Sequence, residues 1–252
     1  MVEMRSSSGP AVSVPRTNAR SALACAVRAA AAAAALAAAG CPHPTPDVAL
    51  TVRFETDVDG NAVEPGKDGI SLGDGVDVGA ACLWIPVLRV VGDATEVEDD
   101  TPFALSLLDA AAAARPLGGA PPGLYSVLHF EARPVAPDRP DLPCALAANG
   151  IGYSIRITGH VDGTAFDYQD VSELLVDRRK LAPLELAGGD CATFLVRIDL
   201  ARWLDGVDFA SGELVQGVIL VDATHNTGLL ELLRAGLAAD GTVTVEGFPG
   251  GC

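Results

Sequence analysis

The sequence predicts a mainly β protein: an antiparallel β-sandwich of the prealbumin or immunoglobulin type with one or two short helices. Three observations predict it. First, short runs such as "IGYSIRITGH" (151–160) and "CATFLVRIDL" (191–200) alternate apolar and polar residues. That is the period of a sheet with one face on a core and the other in water. Second, six Asp-Gly pairs punctuate the chain, and their glycines supply the positive φ that tight hairpins require. Third, a clear helical stripe occurs in "HNTGLLELLRAGLAADG", where Leu229, Leu230, Leu233 and Leu237 share a face.

The elements follow in order. "VALTVRFE" (48–55) reads as a strand, and "DVDGN" after it as a turn. "ACLWIPVLRVV" (81–91) is apolar on both faces, and Pro86 places an edge or bulge within it. "TPFALSLLDAAAAARPLGG" predicts a short helix over 104–114, stopped before Pro116. In "GLYSVLHFEA" (123–132), Leu124, Leu128, Phe130 and Ala132 form the core face, with Tyr125, His129 and Glu131 opposite. In 151–160, Ile151, Tyr153, Ile155 and Ile157 point inward and Ser154, Arg156, Thr158 and His160 outward. Asp162-Gly163 then forms the turn of a hairpin. In 191–200 the core face is Phe194, Val196, Ile198 and Leu200. "ARWLDG" is a single helical turn. The best helix spans 227–238, capped by Asn226 or Thr227 and ended by Asp240-Gly241. "TVTVEGF" is the last strand.

Upstream of all this, residues 1–28 carry four arginines and one acid, and residues 29–39 are ten alanines and Leu36. A positive stretch, a short apolar run and small residues at a cleavage site compose a secretory signal peptide. The apolar run is far shorter than the roughly 20 residues that span a bilayer. The stretch "LAAAGC" resembles the lipobox of bacterial lipoproteins, with Ala38, Ala39 and Gly40 at the small positions and Ala38 where leucine is usual. The resemblance implies cleavage before Cys41 and a diacylglyceryl group on its sulfur. "CPHPTPD" (41–47) then forms an extended, proline-rich tether. The organisation predicted is a signal peptide over 1–40, a lipidated tether over 41–47 and a single sandwich domain over 48–252.

Four of the 17 basic residues and one of the 33 acidic ones lie in 1–40, which leaves a formal net charge of −19 on 41–252. Such a surface repels nucleic acid. With Cys25 removed and Cys41 lipidated, Cys82, Cys144, Cys191 and Cys252 remain. An even count in an exported domain predicts two disulfides. The pairing expected is Cys144–Cys191 and Cys82–Cys252. A zinc site made of all four is the rival, though no C-x-x-C pair occurs.

Catalytic motifs are absent: the chain has no G-x-S-x-G, H-E-x-x-H or phosphate loop. His129 and Glu131 lie two apart on a strand and share a face, so with His160 or Asp162 from a neighbouring strand end they form a candidate metal set. Asp222 and His225 precede the helix and read better as its entry turn. Asp57, Asp59, Asn61 and Asp68 superficially resemble a calcium loop, but the glycine and glutamate spacing is wrong. Trp84, Trp203, Tyr125 and Tyr153 are the aromatic candidates for sugar stacking, against the default of core use.

The stretch "LLDAAAAARPLGGAPPGLYSVLHF", with Leu107-Leu108-Asp109 leading to Pro121-Pro122-Gly123-Leu124-Tyr125, resembles prealbumin-like sandwich domains of bacterial lipoproteins. More remotely it resembles periplasmic copper-binding partner proteins of the methanobactin type, without their tryptophan-rich segments. The function expected is that of a lipid-anchored cell-envelope protein, on the outer membrane, acting as a non-enzymatic binding or structural module. Its partner would be an envelope protein or a small ligand, and it needs no cofactor. The alternative is a divalent-metal-binding lipoprotein, for copper or calcium. An unrecognised enzyme is the third reading.

Overall fold

Alternation along residues 48–58 builds the first strand: Val48, Leu50, Val52 and Phe54 are buried while Ala49 and Arg53 face water. The computed structural model of the chain describes residues 47–63, 69–93, 95–109 and 114–250. These belong to one unit, Thr45–Cys252. Residues 1–40, Cys41, Asp68 and Cys252 lie outside the described residues.

In chain order the strands are β1 (Val48–Val58), β2 (Asn61–Ala62), β3 (Ile70–Ser71), β4 (Val76–Ile85), β5 (Val87–Gly92), β6 (Glu96–Asp99), β7 (Phe103–Ser106), β8 (Ala114–Ala120) and β9 (Gly123–Ala132). They continue with β10 (Ala147–Ala148), β11 (Ile151–Gly152), β12 (Ile155–Val161), β13 (Thr164–Asp170), β14 (Leu174–Leu186) and β15 (Cys191–Asp199). Helix α1 (Leu200–Leu204), strands β16 (Leu214–Val215) and β17 (Val218–Val221), helix α2 (Thr227–Ala238) and β18 (Val243–Pro249) complete them.

The strands form three main sheets. The first runs β18-β15-β1, with β2 and β8 both on the far edge of β1. The second runs β16-β17-β13-β12-β4, with β3 and β7 beyond β4, and the third runs β14-β9-β5-β6. β10 and β11 pair as a separate small hairpin. The fold is the β-sandwich predicted, with a common apolar core between sheets. Phe54 of β1 sits at the junction, its ring centroid 5.9 Å from both Phe103 of β7 and Phe130 of β9. Most ladders are antiparallel, but β1–β15 and β13–β17 are parallel. These two pairs close through long connections, which local patterning does not reveal.

Several expectations are corrected. The helix predicted over 104–114 is not formed at its described ends: Phe103–Ser106 pairs with β4, and Ala114–Ala120 pairs with β1. Tertiary pairing overrides the helical propensity of the alanines. Pro86 is a corner, where the chain leaves β4 in the second sheet and enters β5 in the third. Its missing N–H interrupts the ladder at that point. In β9 the register shifts, since Val91 faces Val127 but Gly92 faces Tyr125. The extra residue is a bulge that reverses the alternation. Tyr125 is therefore buried and Leu124 exposed, the opposite of the reading by simple alternation. Ile151 is likewise exposed, in the β10–β11 hairpin, and Ser154 is fully buried. Asn226 stands at the start of α2 in the left-handed region and makes no side-chain cap. Its amide instead bonds Glu213 and Leu220.

Candidate functional site

Three Asp-Gly turns gather at one end of the sandwich. Asp59, Asp74 and Asp162 have φ of 52°, 47° and 48°, and each is followed by a glycine of positive φ. Both central residues of such turns need the left-handed region, which aspartate tolerates and glycine prefers. The turns at 74 and 162 lie against each other. Asp162 N–H donates to the Gly75 carbonyl at 3.0 Å, and a Cβ on Gly75 would meet Asp162 Oδ1 at 2.2 Å.

Helix α1 closes the other side. Asp199 caps it by accepting from Arg202 N–H at 3.0 Å. Between the turns and α1 lie two adjoining cavities of about 490 and 570 Å³, which share Leu72, Ala201 and Asp205 in their linings. Asp59, Asp74, Asp162, Asp199, Asp205 and Asp208 all contribute to these walls. Arg202 is the cation among the lining residues, and it donates to the Asp240 carbonyl at 2.9 Å. Among the described residues, the lining holds no histidine, cysteine, lysine or hydroxyl. Six aspartates against one arginine give the cleft an excess of negative charge.

The residues predicted as a metal set are not brought together. His129 Nε2 is 3.3 Å from Glu131 Oε1, and Glu131 is also paired with Arg133. His160, however, belongs to β12 in the second sheet, while His129 belongs to β9 in the third. Its strand neighbours are Ala165 and Asp77. Among the described residues no group of three or more histidine, cysteine, aspartate or glutamate side chains could hold a metal ion. Asp57, Asp59 and Asn61 form the β1–β2 hairpin, not a calcium loop. Trp203 and Tyr125 are fully buried, and Trp84 and Tyr153 are nearly so, so the four aromatics are core and not a stacking platform. Asp222 Oδ1 accepts from the backbone of Thr224 and His225, each at 2.7 Å. Burial alone would raise its pKa, but these bonds outweigh that and hold it below the ordinary carboxylate value. It forms the helix-entry turn, as read.

The cysteines pair differently from the expectation. Cys82 is bonded to Cys144 across 62 residues, which rules out both Cys144–Cys191 and Cys82–Cys252. Cys191 is also disulfide-bonded. The four-cysteine zinc site is thereby excluded. Local sequence around Cys144 does not reveal its partner, which is 62 residues away. In the fold it lies in a loop over the outer face of β4, where Cys82, Trp84, Val135, Leu146 and Tyr153 form a second, smaller core.

Two ion pairs escaped sequence reasoning because their partners are distant in the chain or lie on facing strands. Arg156 and Asp167 form a two-pronged pair at 3.0 and 2.8 Å, and Arg156 also donates to the Cys144 and Ala145 carbonyls. Asp170, whose side chain is 0 % exposed, is held by Arg234 of α2 through two bonds of 2.8 Å. Ser172 N–H and the Tyr168 hydroxyl also bond its carboxylate. Burial alone would raise the Asp170 pKa, but Arg234 and Ser172 outweigh it and the pKa is lowered. Burial, with Asp170 beside it, pushes the Tyr168 phenol well above its ordinary value.

No protein-family model, no curated protein and no solved structure matches this chain.

Proposed function

We propose that this protein is an exported, lipid-anchored component of the bacterial cell envelope that acts as a non-enzymatic binding or structural module. The observation that carries the reading is the oxidised state of the cysteines: Cys82 is bonded to Cys144, and Cys191 is bonded as well. Disulfides persist in oxidising compartments and are rare in a reducing cytosol. That agrees with the arginine-rich start, the alanine run and the lipobox-like "LAAAGC" ahead of Cys41. Acyl chains on Cys41 would hold the domain at a membrane, since each buried methylene contributes about 0.8 kcal/mol. The outer membrane is the location that the residue after Cys41 favours, because Pro42 is not the aspartate associated with retention at the inner one.

A non-catalytic role is supported by the absence of recognised catalytic motifs in the sequence. Fractionation of a Cys41→Ser variant tests the anchor. The unsubstituted chain is expected in the membrane fraction and the variant in the soluble one. A variant that stays membrane-bound overturns the lipid anchor.

A further inference from the structure

We infer that the pole at which the chain enters the sandwich faces the membrane, and that the acidic cleft is held on the side away from the lipid; this rests on the lipid anchor proposed above.

Strand β1 sets the geometry. It runs from Val48 to Val58, a rise of about 33 Å at the strand spacing of ~3.3 Å per residue. At its first end the Asp47 carbonyl accepts from Gly189 N–H, Val48 faces Ala120 and Ala49 faces Cys191. The chain's other end arrives at the same place, where Gly250 N–H donates to the Cys191 carbonyl. At the far end of β1, Asp57 faces Asp199, and the Asp59 turn joins the lining of the cleft with Leu72 and Asp205. The entry point and the cleft therefore occupy opposite poles.

The tether is too short to reverse this. Asp47 lies six chain steps beyond Cys41, and a fully extended chain gains at most ~3.6 Å per step, which is about 21 Å. Turning the cleft squarely onto the lipid would require the entry point to stand about 33 Å above the surface. Electrostatics act in the same direction. The carboxylates of the cleft are repelled by anionic headgroups within a Debye length of about 8 Å.

The test uses the full lipidated chain in vesicles that carry a nitroxide quencher on their headgroups. A single free thiol is introduced and dye-labelled at either pole: Glu185→Cys, beside Gly123 and Leu124 near the entry point, or Asp208→Cys in the cleft wall. Both positions are exposed. The expected result is several-fold stronger quenching at 185 than at 208. Equal quenching, or stronger quenching at 208, overturns the orientation while leaving the anchor standing. Failure of the unsubstituted chain to float with vesicles overturns the anchor, and the orientation with it.

Discussion

Two segments leave the sheets and are brought back onto them by different means. Helix α2 carries a leucine stripe, and Leu229, Leu230, Leu233 and Leu237 are all buried. Its remaining freedom is removed by charge. Arg234 reaches the buried Asp170, and Arg178 from β14 donates to the Val243 carbonyl at 3.0 Å and to the Ala238 carbonyl at 3.3 Å, at the C-terminal end of α2. A cation at that end also complements the helix dipole. The loop over 133–153 has almost no regular structure of its own beyond a two-residue hairpin and a 3-10 turn at Pro143–Ala145. Its apolar contribution is a small patch against Cys82 and Trp84. Here a covalent bond does what a leucine stripe does for the helix. A segment that satisfies its own backbone and buries a full apolar face needs only orientation. One that does neither needs a constraint on the unfolded chain.

This contrast is sharpest at Arg234. Arg234→Ala leaves the Asp170 carboxylate buried beside Tyr168 without its cation, and breaking a buried pair in this way costs about 3–5 kcal/mol. The sign of its pH dependence is fixed. Asp170 has a folded pKa below the ordinary 3.8, so the pair contributes stability above that value and loses it as pH falls through the lowered pKa. Urea unfolding should therefore show a large penalty for the variant at neutral pH and a shrinking one below 3.8. A penalty independent of pH would show that Arg234 acts by packing and not by charge.

The loop should respond to redox and not to acid. Replacing both partners, Cys82→Ser with Cys144→Ser, opens a loop of 62 residues and should remove about 4 kcal/mol in the chain-entropy account. Thermal unfolding with and without reductant checks it. Reductant should lower the melting temperature of the unsubstituted chain and of Arg234→Ala by similar amounts. An unchanged melting temperature in the double variant would mean that the small apolar patch holds the loop unaided.

A smaller effect is expected where the two helices meet. A Cβ on Gly236 would lie 2.2 Å from the Trp203 carbonyl, and Trp203 Nε1 donates to the Leu233 carbonyl at 2.8 Å. Gly236→Ala should cost about 1–3 kcal/mol by overpacking, despite alanine's better helix propensity. Denaturant titration reads this directly. Stabilisation would show that α1 shifts freely and that the α1–α2 contact is loose.

Much of the fold was legible in advance. The bounds of β9 and α2 fall where the alternation and the leucine stripe put them. The core face of β15 is the one read from the sequence, with Phe194, Val196 and Ile198 fully buried, as is Leu200 at the start of α1. The Asp162-Gly163 hairpin forms as predicted. Errors cluster where a neighbour decides. Phe103–Ser106 looks helical alone and becomes a strand because β4 offers an open edge. Tyr125 changes face because a bulge resets the alternation. The cleft was hidden in plain pattern: its Asp-Gly pairs were legible as turns, but turn chemistry says nothing about which turns share an end of the molecule.

By itself, the sequence determined what depends on a few successive residues: strand alternation, the helix stripe, positive-φ turns, and the charge and apolar pattern of the first 41 residues. The tertiary structure alone decided which cysteines pair, which sheet each strand joins, where Pro86 turns the chain and which aspartates face one another. The physical reason is separation along the chain. A period of two or 3.6 residues is written in neighbours. The Cys82–Cys144 bond, the Asp170–Arg234 pair and the acidic cleft are contacts between residues dozens of positions apart, settled only when the sheets find their common core.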